Sequence, residues 1–367
     1  MRLLFDARYI RTDFHDGISR YSAELAAAVH AAAPAAGVEV VFLVWDAAQI
    51  PLLPAGSRTL TIHAPTAMRE PFTALLLNRY RPDVVFSPMQ TIGSLGRRFG
   101  LILTLHDTIY HRHRTPPRDL PWYVRLGWRL FHLSYVPQRL TLDAADVVAT
   151  VSETSAAEFA RVKLTKRPVA VIPNAPQRLA ALLPPEAAVE PGAQNLVYMG
   201  SFMPYKNVET LIRAAASLPG RTLHLLSRIS PTRRAELESL VDPAGAAVVF
   251  HGGVTDAEYA ALLADRAVLV SASLDEGYGL PVAEALELGV PAVVTDMPIF
   301  REVAGGGALY APGQDAAAFA AAVRSLDDTA RLAEVVAAGT AHITRFDWAH
   351  SAGVLLDAVR KASRRRT

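Results

Sequence analysis

The chain has 367 residues, more than one hydrophobic core usually organises, so we expect two compact domains. Its 37 Lys plus Arg and 35 Asp plus Glu leave a formal net charge of +2, which excludes a general nucleic-acid-binding surface. The absence of cysteine excludes disulfides, thiolate catalysis and cysteine metal sites, and it fits a reducing compartment such as the cytosol. No apolar run reaches the roughly 18 residues that span a bilayer, and the first residues, MRLLFDAR, do not form a signal peptide. We therefore expect a soluble or peripheral protein.

Short runs rich in Val, Ile and Leu alternate with Ala-rich helical segments along most of the chain. This pattern is typical of βαβ units around a parallel sheet, so the predicted fold class is α/β, with two doubly wound parallel-sheet domains. The strand candidates are residues 3–6, 38–45, 83–87, 101–107, 147–152 and 169–173 in the first half, and residues 196–200, 222–227, 247–251, 268–273 and 292–296 in the second. Residues 174–194 are rich in Pro and Ala, and we interpret them as the region that links the domains.

Local signals predict where several helices begin and end. Thr255 and Glu258 have the spacing of a capping box, and Pro281 can open a helix that Gly289 closes. In the first domain, the pattern predicts a helix over residues 18–33 with Gly17 at its amino end.

The most informative stretch is SASLDEGYGLPVAEALELGVPAVVTD, residues 271–296, which has the pattern of strand, glycine loop, helix and strand. In a parallel sheet such a loop lies at the carboxyl edge, where ligands bind. Gly277 and Gly279 allow the backbone to approach a ligand closely, and Pro281 at the first helical position leaves amides of the opening turn directed at an anion. These features predict a phosphate-binding loop.

Two acids bracket this loop: Glu276 before the helix and Glu284 at the end of its first turn. Carboxylates accept hydrogen bonds from sugar hydroxyls, so the stretch outlines a phosphate between two hydroxyl-rich groups, as in a nucleotide sugar. The alternative is that the glycines only turn the chain and that the acids stabilise the helix dipole. The combination of all these features favours the nucleotide-sugar interpretation.

The segment EGYGLPVAEAL resembles the acid-x7-acid signature of family-four retaining glycosyltransferases of the glycosyltransferase-B fold, with Glu276 and Glu284 at the acid positions. The segments TLHDTIY, VIPNA, VYMGSFMPYKNVETLI and GVTDAEYAALLADRAVLVSAS also resemble that family, in the expected order. The resemblance implies two Rossmann-like domains facing across a cleft. Its domain layout is an acceptor-side domain over 1–174, a linker over 175–194, a nucleotide-sugar-binding domain over 195–345 and a helix over 346–367 that crosses back to the first domain.

The same resemblance assigns roles to residues of the second domain. Glu284 accepts from the ribose hydroxyls, Glu276 from a hydroxyl of the donor sugar, and Lys206 neutralises the leaving diphosphate. The alternative for Lys206 is an ordinary solvated lysine at a helix start. The implied donor-binding residues of this domain are Ser201, Gly277, Tyr278, Gly279, Leu280, Pro281 and Glu284.

One position departs from the family pattern. Many relatives have an arginine directly after the glycine that ends the strand, but here that residue is Ser201. Arg228 ends the next apolar run, TLHLLSR, and we predict that it supplies the missing positive charge, because a guanidinium suits phosphate oxygens. The alternative is that Arg228 is a solvated residue at a strand end and that helix amides suffice.

The first domain contributes four candidates. The resemblance implies that Gly17 faces the donor phosphates, although a lone glycine there is more often a cap. It also implies that the pair His106 and Asp107 lies at the cleft and contacts the donor sugar, although a histidine at a strand end is more often structural. Asn174, in VIPNA, is then a cleft-lining hinge residue, with Ala175 where the family usually has glycine.

Arginines and aromatic residues crowd the segment from residue 118 to 139. We interpret it as a helix of the first domain with its aromatics packed inward and its arginines in solvent. The alternative is a peripheral membrane element, since arginine and aromatic side chains suit lipid headgroups.

The resulting functional prediction is retaining transfer of a hexosyl group from a nucleoside-diphosphate sugar to an acceptor hydroxyl in glycan or glycolipid synthesis. GDP-mannose is the preferred donor over UDP-glucose. The acceptor is a glycan or lipid-linked sugar, with a small metabolite as a further alternative. No Asp-x-Asp occurs, so we predict no metal and no cofactor.

We expect no nucleic-acid partner, and a location in the cytoplasm or at the inner membrane face. The alternatives to this function are a nucleotide-sugar epimerase and a non-catalytic subunit that binds a nucleotide sugar. A dehydrogenase is excluded because no G-x-G-x-x-G follows the first strand.

Overall fold

The structure is a computed structural model that describes residues 1–13, 16–116 and 121–364. The chain divides into two compact units. Unit 1 consists of Met1–Asn174 together with Phe346–Thr367, and unit 2 is Ala175–Arg345.

Unit 1 contains a parallel sheet, which has seven strands within the residues that the structure describes. The strands are β1 (Arg2–Asp6), β2 (Glu39–Val44), β3 (Arg58–Thr61), β4 (Val84–Ser87), β5 (Gly100–Thr104), β6 (Val147–Thr150) and β7 (Val169–Val171). Their order in the sheet is β3-β2-β1-β4-β5-β6-β7, with every neighbouring pair parallel. Residues of β4 and β5 are buried on both faces, as expected for parallel strands covered by helices. The strand order reverses between β1 and β4, and ligands commonly bind at such a point.

Six helices connect these strands within the described part of unit 1. They are α1 (Gly17–Ala32), α2 (Thr73–Leu77), α3 (Ile109–Arg112), α4 (Trp122–Phe131), α5 (Val136–Asp143) and α6 (Glu153–Arg161). Asp16 caps α1 because its Oδ1 accepts a hydrogen bond from the Ser19 amide at 2.8 Å. Helix α1 confirms the prediction for residues 18–33 to within one residue at each end.

Unit 2, all of whose residues are described, contains a six-stranded parallel sheet in the order β10-β9-β8-β11-β12-β13. The strands are β8 (Glu190–Tyr198), β9 (Thr222–Leu225), β10 (Ala247–Phe250), β11 (Asp265–Ser271), β12 (Ala292–Thr295) and β13 (Ala308–Ala311). The chain adds β9 and β10 on one side of β8 and then crosses over to add β11 on the other. The switch point of this sheet therefore lies between β8 and β11.

The helices of unit 2 confirm the predicted capping signals. They are α7 (Val208–Ala215), α8 (Pro231–Glu238), α9 (Asp256–Ala264), α10 (Leu280–Glu287), α11 (Pro298–Ala304), α12 (Ala316–Ser325) and α13 (Thr329–Ile343). Thr255 and Glu258 form a capping box at the start of α9, with the Thr255 amide donating to Glu258 Oε2 at 2.7 Å. Pro281 is the second residue of α10, and Gly289 follows that helix with φ +81°.

The last helix, α14 (Trp348–Arg364), packs within unit 1 against α1 and against strands β4–β7. Ala352, Leu355 and Val359 on its inner face are fully buried. Near its start, Ser351 Oγ donates to the carbonyl oxygen of Pro173 at 2.7 Å.

Three features differ from the sequence interpretation. Strands β3 and β13 were not predicted. The sequence of β3, RTLT, has little apolar character, and that of β13, ALYA, is equally compatible with a helix. Residues 175–194, interpreted as a linker, lie in unit 2 instead. They contain a 3-10 helix, Leu179–Leu182, whose Leu179 is fully buried, and the start of β8.

The inward-packed interpretation of 118–139 is wrong for the aromatics at the start of α4. Trp122 is 76% exposed and Tyr123 is 62% exposed. Trp128, on the other side of α4, is partly buried and contacts the Tyr110 ring at 4.6 Å between centroids. Residues 118–120 lie outside the described residues.

Candidate functional site

Lys206 and Glu276 meet at the carboxyl edge of the unit 2 sheet. Lys206 ends the 3-10 helix Pro204–Lys206, which follows β8, and Glu276 lies in the loop after β11. Because β8 and β11 are neighbours, these two loops lie side by side. Lys206 Nζ is 2.6 Å from Glu276 Oε1, and the two side chains are only 15% and 14% exposed. The structure thus joins two residues that the sequence assigned to separate roles.

A second side chain orients the Glu276 carboxylate. Ser273 Oγ donates to the same Oε1 atom at 2.8 Å, and Ser271 Oγ lies 3.2 Å from Ser273 Oγ. Charge-assisted hydrogen bonds of this kind hold a carboxylate in one orientation. Ser273 was not among the predicted site residues, although a serine at the end of a predicted strand was an available signal.

Asn207, directly after Lys206, attaches the lysine turn to the sheet. Its backbone has φ +52°, in the left-handed region that asparagine tolerates better than most residues. Its Nδ2 donates to the carbonyl oxygens of Ala272, 3.1 Å away, and Gly313, 2.5 Å away, which follow β11 and β13. This residue was also missed; an asparagine between a strand and a helix was the signal that could have identified it.

The glycine loop leads directly into α10. Gly279 has φ +95°, and a Cβ at this position would come within 2.8 Å of the Phe300 ring, so both conformation and space require glycine. Gly277 does not have a positive φ. Tyr278 between them is buried, and burial raises the pKa of its hydroxyl well above the usual range. Leu280 and Pro281 then form the amino end of α10, which carries the positive end of the helix dipole.

Glu284 is the fifth residue of α10 and is 4% exposed. A carboxylate is rarely so buried unless it is held by polar partners. The structure therefore places this acid inside the unit rather than on its solvated surface, where an acid that only stabilises a helix dipole is usually found.

Ser201 and Arg228 follow the neighbouring strands β8 and β9. The Ser201 carbonyl accepts from the Tyr198 hydroxyl at 2.6 Å. Arg228 is exposed, and its side chain packs beside Gly253 in the turn after β10: a Cβ at Gly253 would lie 3.1 Å from Arg228 Cγ. Arg228 is thus located at the predicted edge of the sheet, while its contact with a diphosphate stays a prediction.

In unit 1, His106 follows β5 by two residues and is partly buried. Its Nε2 is 2.9 Å from the Pro88 carbonyl oxygen, and the Tyr21 ring meets its ring edge-on at 5.1 Å. Burial lowers the pKa of His106, which favours the neutral ring. A carbonyl can only accept, so Nε2 carries the proton and Nδ1 is the hydrogen-bond acceptor of the neutral ring.

The other unit 1 candidates lie at or near the ends of helices and strands. Gly17 is the first residue of α1, and the cap is supplied by Asp16. Asp107 Oδ1 accepts from the Ile109 amide at 2.9 Å and so stabilises the start of α3. Asn174 is buried at the end of the first segment of unit 1.

The described residues contain neither a metal-binding cluster nor a membrane-spanning helix. No group of three or more His, Asp or Glu side chains in them is arranged to hold a metal ion. Among these residues, no helix combines the length and the apolar character needed to cross a membrane.

Comparison with known proteins identifies both units. A family model described as "Glycosyl transferases group 1" matches residues 193–328, and one described as "Glycosyl transferase 4-like domain" matches residues 16–175. The chain is 28% identical over 265 residues to the O-antigen chain mannosyltransferase B of Escherichia coli, which covers 67% of this chain and 66% of that protein. It is 26% identical over 159 residues to the O-antigen chain mannosyltransferase RfbU of Salmonella typhimurium. That alignment covers 41% of this chain and 42% of the relative. The chain thus spans less than two thirds of the length of these curated relatives.

Solved structures share the fold of the chain. Sucrose-phosphate synthase of Thermosynechococcus elongatus superposes with a TM-score of 0.72 at 20% identity, covering 98% of both chains. Anabaena HepE in complex with UDP-glucose superposes with a TM-score of 0.71 at 16% identity, covering 98% of this chain and 99% of that one. At these identities the likeness shows the fold. Together with the family models, it confirms the resemblance seen in the sequence: the chain belongs to the family-four glycosyltransferases, with the glycosyltransferase-B fold.

Proposed function

We propose that this chain transfers a hexosyl group, mannosyl by preference, from a nucleoside-diphosphate sugar to an acceptor hydroxyl, with retention of configuration and without a metal ion. The observation that carries the proposal is the Lys206–Glu276 pair, located at the β8/β11 switch point and close in sequence to the start of α10. A ligand with a diphosphate for the ammonium and hydroxyl groups for the carboxylate matches this pair of charges.

Donor binding then exchanges the partners of both residues. The diphosphate takes the place of Glu276 beside the Lys206 ammonium, and the carboxylate accepts instead from a hydroxyl of the donor sugar. Ser273 and Asn207 hold the two groups in position during the exchange. Leu280 and Pro281 at the start of α10 face the diphosphate, and Glu284 accepts from the ribose hydroxyls.

In the transfer step, the bond between the anomeric carbon and the diphosphate oxygen breaks, and the acceptor oxygen bonds to that carbon from the same face. The acceptor proton passes to the departing phosphate oxygen, so no separate base is required. Lys206, with Arg228 as a second cation, stabilises the negative charge that develops on the leaving group.

We propose His106 as a hydrogen-bond acceptor for a hydroxyl of the donor sugar. Its neutral ring with the proton on Nε2 leaves Nδ1 available for this role. Gly17, Asp107 and Asn174 are proposed neighbours of the bound substrates on the family pattern alone.

The preference for a mannosyl donor is supported by the relatives, two of which are O-antigen chain mannosyltransferases. HepE was solved with UDP-glucose, which keeps a glucosyl donor as the alternative. We propose a glycan or lipid-linked sugar as acceptor, since O-antigen chains are glycans. A cytoplasmic location, at the inner membrane face, fits the cysteine-free sequence.

The test is a hydrolysis and transfer assay with a panel of labelled nucleotide sugars. We expect one donor to release nucleoside diphosphate, with GDP-mannose favoured, and the anomeric proton of the product to report retention by NMR. An isomerised donor would identify an epimerase, and tight binding without turnover would identify a binding subunit. A folded protein that neither binds nor cleaves any common donor would refute the proposal.

A further inference from the structure

A buried ion network lies at the carboxyl edge of the unit 1 sheet, beside the switch point between β1 and β4. Asp6 ends β1, and the Arg8 guanidinium donates from Nε to Asp6 Oδ1 at 2.7 Å and from Nη2 to Asp6 Oδ2 at 3.0 Å. The same guanidinium donates to both carboxylate oxygens of Glu70, each at 2.8 Å. The Asp6 and Arg8 side chains are fully buried, and that of Glu70 is 10% exposed. We name these three residues the Arg8 network.

Stability alone does not require the Arg8 network. Charged groups lose their hydration when they are buried, and apolar residues of similar volume often stabilise a fold as well or better. The network is also rigid, because the two carboxylates hold the guanidinium along two of its edges. A rigid polar cluster at the edge of a parallel sheet where ligands bind is suited to positioning a functional side chain.

Ser87, the last residue of β4, connects the Arg8 network to the turn that follows. Its fully buried hydroxyl donates to Asp6 Oδ2 at 3.1 Å and accepts from the Met89 amide at 3.3 Å. Its carbonyl oxygen accepts from Thr104 Oγ1, at the end of β5, at 2.8 Å. These contacts fix the backbone on both sides of Pro88, whose ring restricts its own φ. The Pro88 carbonyl oxygen is therefore held in one place.

The Pro88 carbonyl oxygen in turn orients His106, whose Nε2 lies 2.9 Å from it. The Tyr21 ring on α1 is fully buried and packs edge-on against the imidazole, with 5.1 Å between ring centroids and 81° between ring planes. The hydrogen bond fixes the proton on Nε2, and the ring contact limits rotation of the imidazole. Nδ1 therefore keeps a defined direction, with its lone pair available.

We propose that the Arg8 network positions His106, acting through Ser87 and the Pro88 carbonyl. The network keeps the proton on Nε2 and directs the lone pair of Nδ1 toward a hydroxyl of the donor sugar. This inference rests on the proposed role of His106 as the acceptor for that hydroxyl. The network residues and Ser87 act only through His106, as the partners that fix the tautomer of a functional histidine commonly do.

The alternative is that the Arg8 network only holds the loops after β1 and β4 together. Ser87 distinguishes these two interpretations, because it can be changed without leaving a buried charge unpaired. Ser87→Ala removes the hydrogen bonds with Asp6 and with the Met89 amide, while the ion pairs of Arg8 stay complete. A substitution of Arg8 itself would bury two uncompensated carboxylates and could prevent folding.

The first measurement is NMR of the full chain with isotope-labelled histidine, without donor or acceptor. Two-bond proton–nitrogen correlations report which imidazole nitrogen carries the proton, and His106→Ala identifies the His106 signals by their loss. In the wild type we expect an Nε2-protonated ring whose proton exchanges slowly with water. In Ser87→Ala that proton should exchange at least about threefold faster, because the Pro88 carbonyl is held less firmly. A fraction of the ring protonated on Nδ1 should also appear.

Thr165 supplies a matched control in the same unit. Its hydroxyl donates to Asp143 Oδ1 at 2.7 Å and accepts from the Arg167 amide at 3.1 Å. Ser87 likewise bonds an aspartate and the amide two residues later. Because Thr165 precedes the amino end of β7, Thr165→Ala should leave the His106 signals and turnover unchanged. Circular dichroism and thermal unfolding verify that both variants are folded.

The second measurement is a double-mutant cycle on turnover of GDP-mannose, or of the donor that the nucleotide-sugar panel identifies. Ser87→Ala and His106→Ala should each lower kcat/KM, Ser87→Ala by about three- to tenfold. Because Ser87 acts through His106, the double variant should be no slower than His106→Ala alone.

An unchanged His106 spectrum in Ser87→Ala would overturn the proposal, as would the same change in Thr165→Ala. Effects on kcat/KM that multiply in the double variant would also overturn it, because the network would then act on the reaction without His106. A wild type that turns over no donor would refute the proposed function, whereas the NMR comparison would still decide whether the network positions His106.

Discussion

The ammonium of Lys206 lies 2.6 Å from Oε1 of Glu276, although 70 residues separate the two in the chain. The two charges pair with each other at a place where both side chains are mostly buried. An unpaired charge there would be costly, so the two side chains stabilise each other.

Glu276→Gln should separate diphosphate binding from catalysis. The substitution removes a negative charge that competes with the diphosphate for Lys206, so bare nucleoside diphosphate should bind roughly fivefold more tightly, about 1 kcal/mol. Turnover should fall, because the charged acceptor for the donor sugar is lost. Isothermal titration and initial rates measure the two effects, and Lys206→Ala should weaken diphosphate binding as the opposite control. Weaker diphosphate binding by Glu276→Gln would contradict the exchange of partners.

Glu284→Ala should act mainly through donor binding. Loss of a charged acceptor for hydroxyl groups costs roughly 1.5 to 3 kcal/mol, so the donor KM should rise by about one to two orders of magnitude. Glu287→Ala, on the same helix but outside the proposed site, should leave the donor KM unchanged. An unaltered donor affinity in Glu284→Ala would remove this residue from the site.

Asn207 is expected to position Lys206. Asn207→Gly keeps the left-handed backbone but removes the hydrogen bonds to Ala272 and Gly313, so kcat should fall about tenfold, the equivalent of one net hydrogen bond. Asn207→Ala should be less stable than Asn207→Gly by about 1 kcal/mol, because alanine is strained at positive φ. Steady-state kinetics and thermal unfolding distinguish the two effects. Full activity in Asn207→Gly would show that the turn positions Lys206 without the side-chain hydrogen bonds of Asn207.

Arg228→Ala tests the proposed second cation. Turnover should fall by a factor of about ten or more while the protein stays folded, since one charge near a phosphate contributes about 1.4 kcal/mol or more. Ser201→Arg in the Arg228→Ala background should partly restore turnover, because it supplies a cation from the neighbouring strand end. Arg213→Ala, an exposed arginine on α7, is the matched control and should retain full activity. Near-normal turnover in Arg228→Ala would mean that Lys206 acts alone.

His111 should make unit 1 less stable in acid. It is buried against the Tyr135 and His132 rings, and burial, together with the proximity of His132, lowers its pKa from 6.5 to about 4. Between these values the unfolded chain binds a proton that the folded chain does not, so stability falls as pH decreases from 6.5 toward 4. Below that window both states are protonated and the loss is complete.

The measurement is Tm against pH for the wild type and for His111→Phe, which keeps the ring contacts and cannot titrate. We expect a shallower decline in the variant, since the carboxylates contribute equally to both proteins. His350→Phe, at an exposed position on α14, should follow the wild type. Parallel curves for His111→Phe and the wild type would exclude His111 as a source of the acid sensitivity.

Much of the architecture was determined by local sequence. Apolar runs of strand length alternating with Ala-rich segments predicted eleven of the thirteen strands found in the described residues. The capping box at Thr255 and Glu258 depends only on nearby residues, so its spacing was sufficient. The left-handed backbone of Gly279 is likewise a local feature of the turn before α10. The acids Glu276 and Glu284 became candidates for the same reason, as one precedes and the other follows the same glycine turn.

Other features were decided by tertiary structure. The Lys206–Glu276 pair exists because β8 and β11 are sheet neighbours, and the Asn207 contact with Gly313 joins residues 106 apart in the chain. No local pattern encodes which strands become adjacent. The orientation of α4 was likewise not predictable, because amphipathic periodicity shows that a helix has two different sides. Only the contacts of Trp128 with Tyr110 determine which of those sides packs on the protein and which meets its surroundings.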